Sequence, residues 1–277
     1  MGEQGESGNS SLTAPTRRGR SYRGPVPTAE SRREELKAVW QQAQACTRCP
    51  QLAATRKSVV FGAGNADADL MFVGEAPGAN EDRQGLPFVG QAGRLLETLL
   101  GEIGMARSDV FIANTLLCRP PGNRDPLPGE IENCQDWLIR KLELIEPRVV
   151  CTLGNFATKL LRGDPAGITR LHGREEVRRI GPRTVRLYPL YHPAAALYTP
   201  AMLDILRADF GRIPELLALP LPPQPEPEEP EPAVPDPEVL AEPAVPPQPA
   251  SHPADFVGGH RPAGPAERPE ELQLGLF

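Results

Sequence analysis

Four cysteines in two unequal pairs constrain this chain more than any other feature. Cys46 and Cys49 lie two residues apart near the front, whereas Cys118 and Cys134 enclose fifteen residues. Thiolates spaced this way bind metal, because a two-residue chelate loop fits one centre and a second pair from elsewhere completes four ligands. The fold must then bring two distant segments together. The second pair encloses Arg119-Pro120-Pro121-Gly122-Asn123-Arg124-Asp125-Pro126, a stiff, turn-rich loop suited to wrapping a cluster. Spacing alone leaves an iron-sulfur cluster and zinc as alternatives, with a disulfide framework behind both. The fifth cysteine, Cys151, sits in the apolar run Val149-Val150-Cys151 and reads as core.

A reducing compartment suits such ligands, and the rest of the chain fits a soluble cytoplasmic protein. No apolar stretch approaches the ~20 residues that span a bilayer, and the polar N-terminus lacks the apolar segment of a signal peptide. The net charge of −6 is unevenly placed. Residues 218–277 carry 11 acidic residues against 2 arginines, which leaves residues 1–217 mildly basic, with 28 basic and 25 acidic side chains. Residues 218–277 also hold 17 of the 34 prolines, a composition that cannot bury enough apolar surface to offset its ordering entropy. They are expected to form a disordered tether. Residues 1–30 are expected to be a disordered arm, with Arg17, Arg18, Arg20 and Arg23 around Tyr22, and residues 31–217 to form a single domain.

Within that domain, short β-branched runs recur at Leu70-Met71-Phe72-Val73, Val110-Phe111-Ile112-Ala113, Val149-Val150-Cys151-Thr152-Leu153 and Val185-Arg186-Leu187-Tyr188. Segments with helical spacing, including residues 92–103, 130–144 and 156–161, separate them. This alternation predicts an α/β fold with a mostly parallel sheet and helices on both faces. In such sheets ligands gather beyond the carboxyl ends of the strands. The first strand runs into Gly74-Glu75-Ala76-Pro77-Gly78, then Glu81-Asp82 and Gly85-Leu86-Pro87-Phe88-Val89-Gly90. The second ends in Asn114, an amide able to read a base edge. The fourth is followed by Tyr191-His192-Pro193.

The combination of Gly74-Glu75-Ala76-Pro77-Gly78, Pro87-Phe88-Val89-Gly90, Asn114, Cys118-Arg119-Pro120-Pro121-Gly122-Asn123-Arg124 and His192-Pro193 resembles the family 4 uracil-DNA glycosylases. The resemblance covers about residues 35–215. It implies a three-layer α/β/α sandwich around a four-stranded, largely parallel sheet, with a [4Fe-4S] cluster on Cys46, Cys49, Cys118 and Cys134. It implies a nucleoid-associated monomer that flips uracil out of DNA and hydrolyses its glycosidic bond. Other classes carried beside this are a non-catalytic or covalent uracil-DNA-binding protein and a metal-stabilised adaptor.

By the same resemblance Phe88 stacks on the flipped base, while Asn114 donates to O4 and accepts from N3–H, a pattern that cytosine reverses. His192 and backbone N–H groups of residues 75–78 stabilise the departing anion. Glu75 positions water or stabilises the developing sugar cation. The Asp that orients water in the best-known uracil glycosylases falls at Ala76 here. The bulky residue that excludes the thymine methyl there falls at Gly78, with Glu81 as a substitute, and Gly74 completes the substrate-binding set. At the C-terminus, Gln273, Leu274, Leu276 and Phe277 resemble the short peptide by which bacterial repair proteins dock on the sliding clamp.

Overall fold

The computed structural model describes residues 28–225 of the 277-residue chain. The arms 1–27 and 226–277, with the clamp-like peptide, lie outside the described residues. Among the described residues, six strands form one sheet: β1 Ala63–Gly64, β2 Leu70–Gly74, β3 Phe111–Asn114, β4 Val149–Leu153, β5 Glu176–Ile180 and β6 Arg183–Leu190. Their order is β1-β3-β2-β4-β6-β5. The inner four, β3, β2, β4 and β6, are parallel, and β1 and β5 add antiparallel edges. The expected four-stranded sheet is therefore the parallel core, and its strand count is corrected to six. A two-residue strand and one reading Glu-Val-Arg-Arg-Ile lack the apolar run that marks the inner strands.

The helices that connect and cover these strands are α1 Ala29–Gln44, α2 Pro50–Thr55, α3 Ala79–Gln84, α4 Gln91–Glu102, α5 Pro128–Ile145, α6 Asn155–Arg162, α7 Ile168–Leu171, α8 Pro193–Tyr198, α9 Ala201–Gly211 and α10 Ile213–Ala218. β2 and β4 are buried throughout, as strands covered on both faces must be. Their side chains alternate between two cores. Met71, Val73, Phe111, Ala113 and Val150 pack with Leu36 and Trp40 of α1 and Leu138 and Leu142 of α5. Leu70, Phe72, Ile112, Val149 and Cys151 pack on the opposite face with Leu96 and Leu99 of α4 and Leu206 and Phe210 of α9. This two-sided burial makes the three layers. Among the described residues no helix is long and apolar enough to cross a membrane.

Polar groups fix the ends of this frame. Thr28 caps α1, its hydroxyl accepting from Ser31 N–H at 3.2 Å. The first turn of α5 is held by Glu130, which accepts from Leu127 N–H at 2.9 Å and receives both arms of the Arg124 guanidinium, at 2.9 and 2.6 Å. Deep in the first core, Lys141 of α5 donates to the Phe61 carbonyl at 2.7 Å. Complete burial pushes its pKa down to about 7.

Residues 218–225, which composition assigns to the tether, pack against the sheet. Arg148 Nη2 donates to Leu219 O at 2.7 Å and Arg186 Nη2 to Pro220 O at 3.2 Å. The Gln224 amide then mimics a neighbouring strand: Thr184 N–H donates to its Oε1 at 3.2 Å and its Nε2 donates to Thr184 O at 2.8 Å. Gln224→Ala removes both bonds, and we expect it to lower unfolding free energy by about 1–2 kcal/mol. Urea denaturation checks this, and an unchanged midpoint would show that the pairing contributes nothing.

Candidate functional site

The carboxyl ends of the parallel strands form one wall of an open cleft. Gly74 and Asn114 stand side by side in the β2–β3 register, and two residues beyond β6 comes His192. The cleft is lined by Glu75, Ala76, Gly78, Glu81, Phe88, Asn114 and His192, all singled out from sequence. Gly74 lies behind this lining. A Cβ there would stand 2.4 Å from Asn114 Oδ1 and 2.8 Å from the Phe88 ring, so only glycine lets the amide and the ring approach each other. Gln91, Pro120, Asn123 and Arg124 also line the cleft and were not anticipated. The last three belong to the loop between Cys118 and Cys134, which sequence reading assigned to the metal site alone.

Asn114 is 2% exposed, yet no described protein group hydrogen-bonds its side-chain amide. Buried polar groups almost always have partners, so an amide held open at a cleft is available to a ligand. Beside it, Phe88 and His192 face each other with centroids 5.6 Å apart and planes 28° off parallel. Phe88 holds φ 51°, in the left-handed region where a side chain costs about 1–2 kcal/mol. Glu81 serves this loop directly: its Oε1 accepts from Val89 N–H and Gly90 N–H, each at 2.9 Å.

The tautomer of His192 is set by its partners. Ala194 N–H donates to Nδ1 at 3.1 Å, so in the neutral ring the proton sits on Nε2. Burial pushes its pKa down to about 4, opposed by the nearby Glu81 carboxylate. The ring is therefore a neutral Nε2–H donor at pH 7. Glu75 moves the other way: desolvation first, and then the negative charge of Asp125, raise its pKa above the ordinary 4.5. Its backbone carbonyl accepts from Leu116 N–H at 3.0 Å and from the Thr115 hydroxyl.

Behind the cleft, Cys46, Cys49, Cys118 and Cys134 line a second cavity with Leu52, Arg56, Val59, Leu117 and Asn133. Among the described residues no group of three His, Cys, Asp or Glu side chains converges enough to hold a single metal ion. Four thiols that share one cavity are a soft donor set of the kind that suits thiophilic metal chemistry. Donors already face two of them: Arg56 Nη1 lies 3.2 Å from Cys118 Sγ and Leu117 N–H 3.3 Å from Cys134 Sγ. Arg56 Nη2 also donates to Cys46 O at 2.7 Å, joining the two halves of the cavity. Burial raises the pKa of Cys49 and Cys118 and pushes Cys134 up to about 12, so loading a metal must displace protons. Cys151 is on the opposite face of the sheet, fully buried among apolar side chains, with its pKa raised by desolvation.

Residues 61–211 match the family model described as the Uracil DNA glycosylase superfamily. The chain belongs to this superfamily. A type-4 uracil-DNA glycosylase of Archaeoglobus fulgidus is 44% identical over 188 residues, covering 66% of this chain and 94% of the relative. One from Sulfurisphaera tokodaii is 42% identical over 192 residues, covering 68% and 87%. A type-5 uracil-DNA glycosylase of Pyrobaculum aerophilum is 32% identical over 179 residues, covering 54% and 78%. Type-4 relatives of the superfamily are thus more similar to this chain than that type-5 relative, as the sequence motifs imply.

Nitrogen-15 NMR titration of His192 should give a midpoint near 4 with the Nε2–H tautomer above it. Because this pKa is depressed on folding, the unfolded chain binds the extra proton first. Stability present above pH 6.5 is then lost as pH falls toward 4. A midpoint at 6.5 would show the ring to be solvated.

Proposed function

We propose that this protein is a uracil-DNA glycosylase that initiates base excision by hydrolysing the N-glycosidic bond of a flipped deoxyuridine. The observation that carries the reading is the buried Asn114 amide, left without a protein partner in the cleft that Phe88 and His192 also line. An enzyme acting on a base must take it out of the stack, and a stacking ring, an edge-reading amide and a donor for the leaving group are what such a pocket needs.

In this reading Phe88 stacks on uracil while the Asn114 amide donates to O4 and accepts from N3–H. Cytosine presents the reverse pattern, and leaving those groups unpaired in a buried site rejects it by about 10⁴-fold or more. As the C1′–N1 bond breaks, its electron pair stays on the base and charge spreads to O2, where the neutral His192 Nε2–H donates. Water adds to C1′ and gives up a proton to the Glu75 carboxylate, which also faces the developing cation. Ala76 supplies no carboxylate of its own. Gly78 and Glu81 remain the candidates for excluding the thymine methyl, with Glu81 also fastening the Phe88 loop.

The four cysteines around the second cavity suit a [4Fe-4S] cluster, with Arg56 and Leu117 N–H as donors to its ligand sulfurs. Bound there, the cluster would supply metal–thiolate bonds that join the segment after α1 to the loop after β3 and to helix α5. Arg124, pinned to Glu130 between the third and fourth cysteines, carries that same loop into the cleft. For Gln273, Leu274, Leu276 and Phe277, which lie outside the described residues, we keep docking on the sliding clamp as a proposal from sequence.

Incubation with a uracil-containing oligonucleotide should give alkali-labile abasic sites. Asn114→Ala and His192→Ala should each cut kcat/KM by about 10²-fold or more. Near-native activity in both folded variants would reject the pocket. Because Glu75 must be ionised, wild-type activity should fall on the acid side at a pH above 4.5, while Glu75→Gln should be slow and lack that limb. Replacing any of Cys46, Cys49, Cys118 or Cys134 should abolish bound iron, whereas Cys151→Ala should retain it.

A further inference from the structure

The Phe88 ring can serve as a wall of the cleft only while its backbone stays at φ 51°. The next peptide unit is gripped at both ends. Its carbonyl, Phe88 O, accepts from Arg107 Nη1 at 3.0 Å, and its N–H, on Val89, donates to Glu81 Oε1 at 2.9 Å. Arg107 Nη2 takes the preceding carbonyl, Pro87 O, and Glu81 takes the following N–H, on Gly90. Two successive carbonyls thus meet one cation and two successive N–H groups meet one anion, which fixes the orientation of the loop. Helix α4 closes the remaining side: a Cβ on Gly93 would stand 1.7 Å from Phe88 O.

Arg107 comes from the short 3-10 turn ahead of β3, the strand that ends in Asn114. Its side chain is three-quarters buried, with Glu97 Oε1 3.3 Å from Nη1 as its carboxylate partner. A cation taken this far from water needs several good acceptors, and two of the three here are carbonyls of the stacking loop. We infer that Arg107 is a positioning residue for base stacking, one that sets uracil affinity by locking Phe88 without touching the base. The inference rests on the glycosylase reading above. A lysine could not span both carbonyls, because its ammonium lacks the planar fork.

The test compares wild type, Arg107→Gln, Arg107→Lys, Phe88→Ala and the Arg107→Gln/Phe88→Ala double variant. Measurements are single-strand excision kinetics and inhibition by free uracil. Losing the stack should raise both KM and the uracil inhibition constant by about tenfold in Arg107→Gln. A smaller increase is expected in Arg107→Lys, and kcat should change much less in both. If Arg107 acts through Phe88, the double variant is no weaker than Phe88→Ala alone. Unchanged KM and uracil inhibition, or single effects that multiply in full, would overturn the inference. Should Arg107→Gln not fold, the Lys variant carries the same test, raised constants supporting the inference and wild-type constants overturning it. A wild-type protein that released no uracil would overturn the glycosylase reading and this inference with it.

Discussion

One short run of backbone, from Asn114 to Cys118, holds the whole arrangement together. Thr115 N–H donates to Gly74 O at 2.9 Å and Leu116 N–H to Glu75 O at 3.0 Å, so β3 continues past its end alongside the first cleft loop. One residue later Leu117 N–H turns to Cys134 Sγ, and its carbonyl accepts from Val60 N–H at 2.8 Å. Cys118 comes next. Cleft and cysteine cavity are therefore two consequences of one strand that overruns the sheet, and displacing either would pull on the other.

The two cavities handle burial in opposite ways. In the cleft nearly every polar group has its needs met inside the protein: Glu81 by two N–H groups, and His192 by Ala194 at one nitrogen. The groups left open include the Asn114 amide, one imidazole N–H and the Glu75 carboxylate. A low-dielectric pocket with few unsatisfied groups discriminates sharply, because any wrong edge leaves a buried donor or acceptor unpaired. The cysteine cavity instead crowds thiols whose ionisation burial opposes, and sets Arg56 beside them as a countercharge. Cys151, more deeply buried than any of the four, lies on the other face of the sheet without such company.

Much of this was legible in the sequence because it rests on local pattern. The inner strands announce themselves as continuous apolar runs, and the segments just beyond them hold Glu75, Phe88, Asn114 and His192. The spacing of the cysteine pairs pointed to the cavity that all four share, though not to what it holds. The features that escaped depend on contacts across long separations. Arg107 looks like any surface arginine until the 87–90 loop folds over it, and Arg56 like any residue after a helix. Strand β5 has half-buried Glu176 and Arg178 on one side and exposed Val177 and Arg179 on the other, so charges fall on both sides and the alternation that would mark a strand is missing. Residues 219–225 read as the start of a proline tail because the pairing of Gln224 with Thr184 involves a side chain imitating backbone.

That last pairing gives the molecule a front and a back. Thr184 stands where β6 begins, and Arg148, which holds Leu219, stands just before β4 begins. The described residues therefore end at the edge of the sheet where its parallel strands start, whereas the cleft opens where they finish. The length of the central strands, about 17 Å, separates the two edges. A label carried on residues 219–225 would therefore ride on the edge of the sheet remote from the cleft, where it can report on the molecule without meeting whatever the cleft holds.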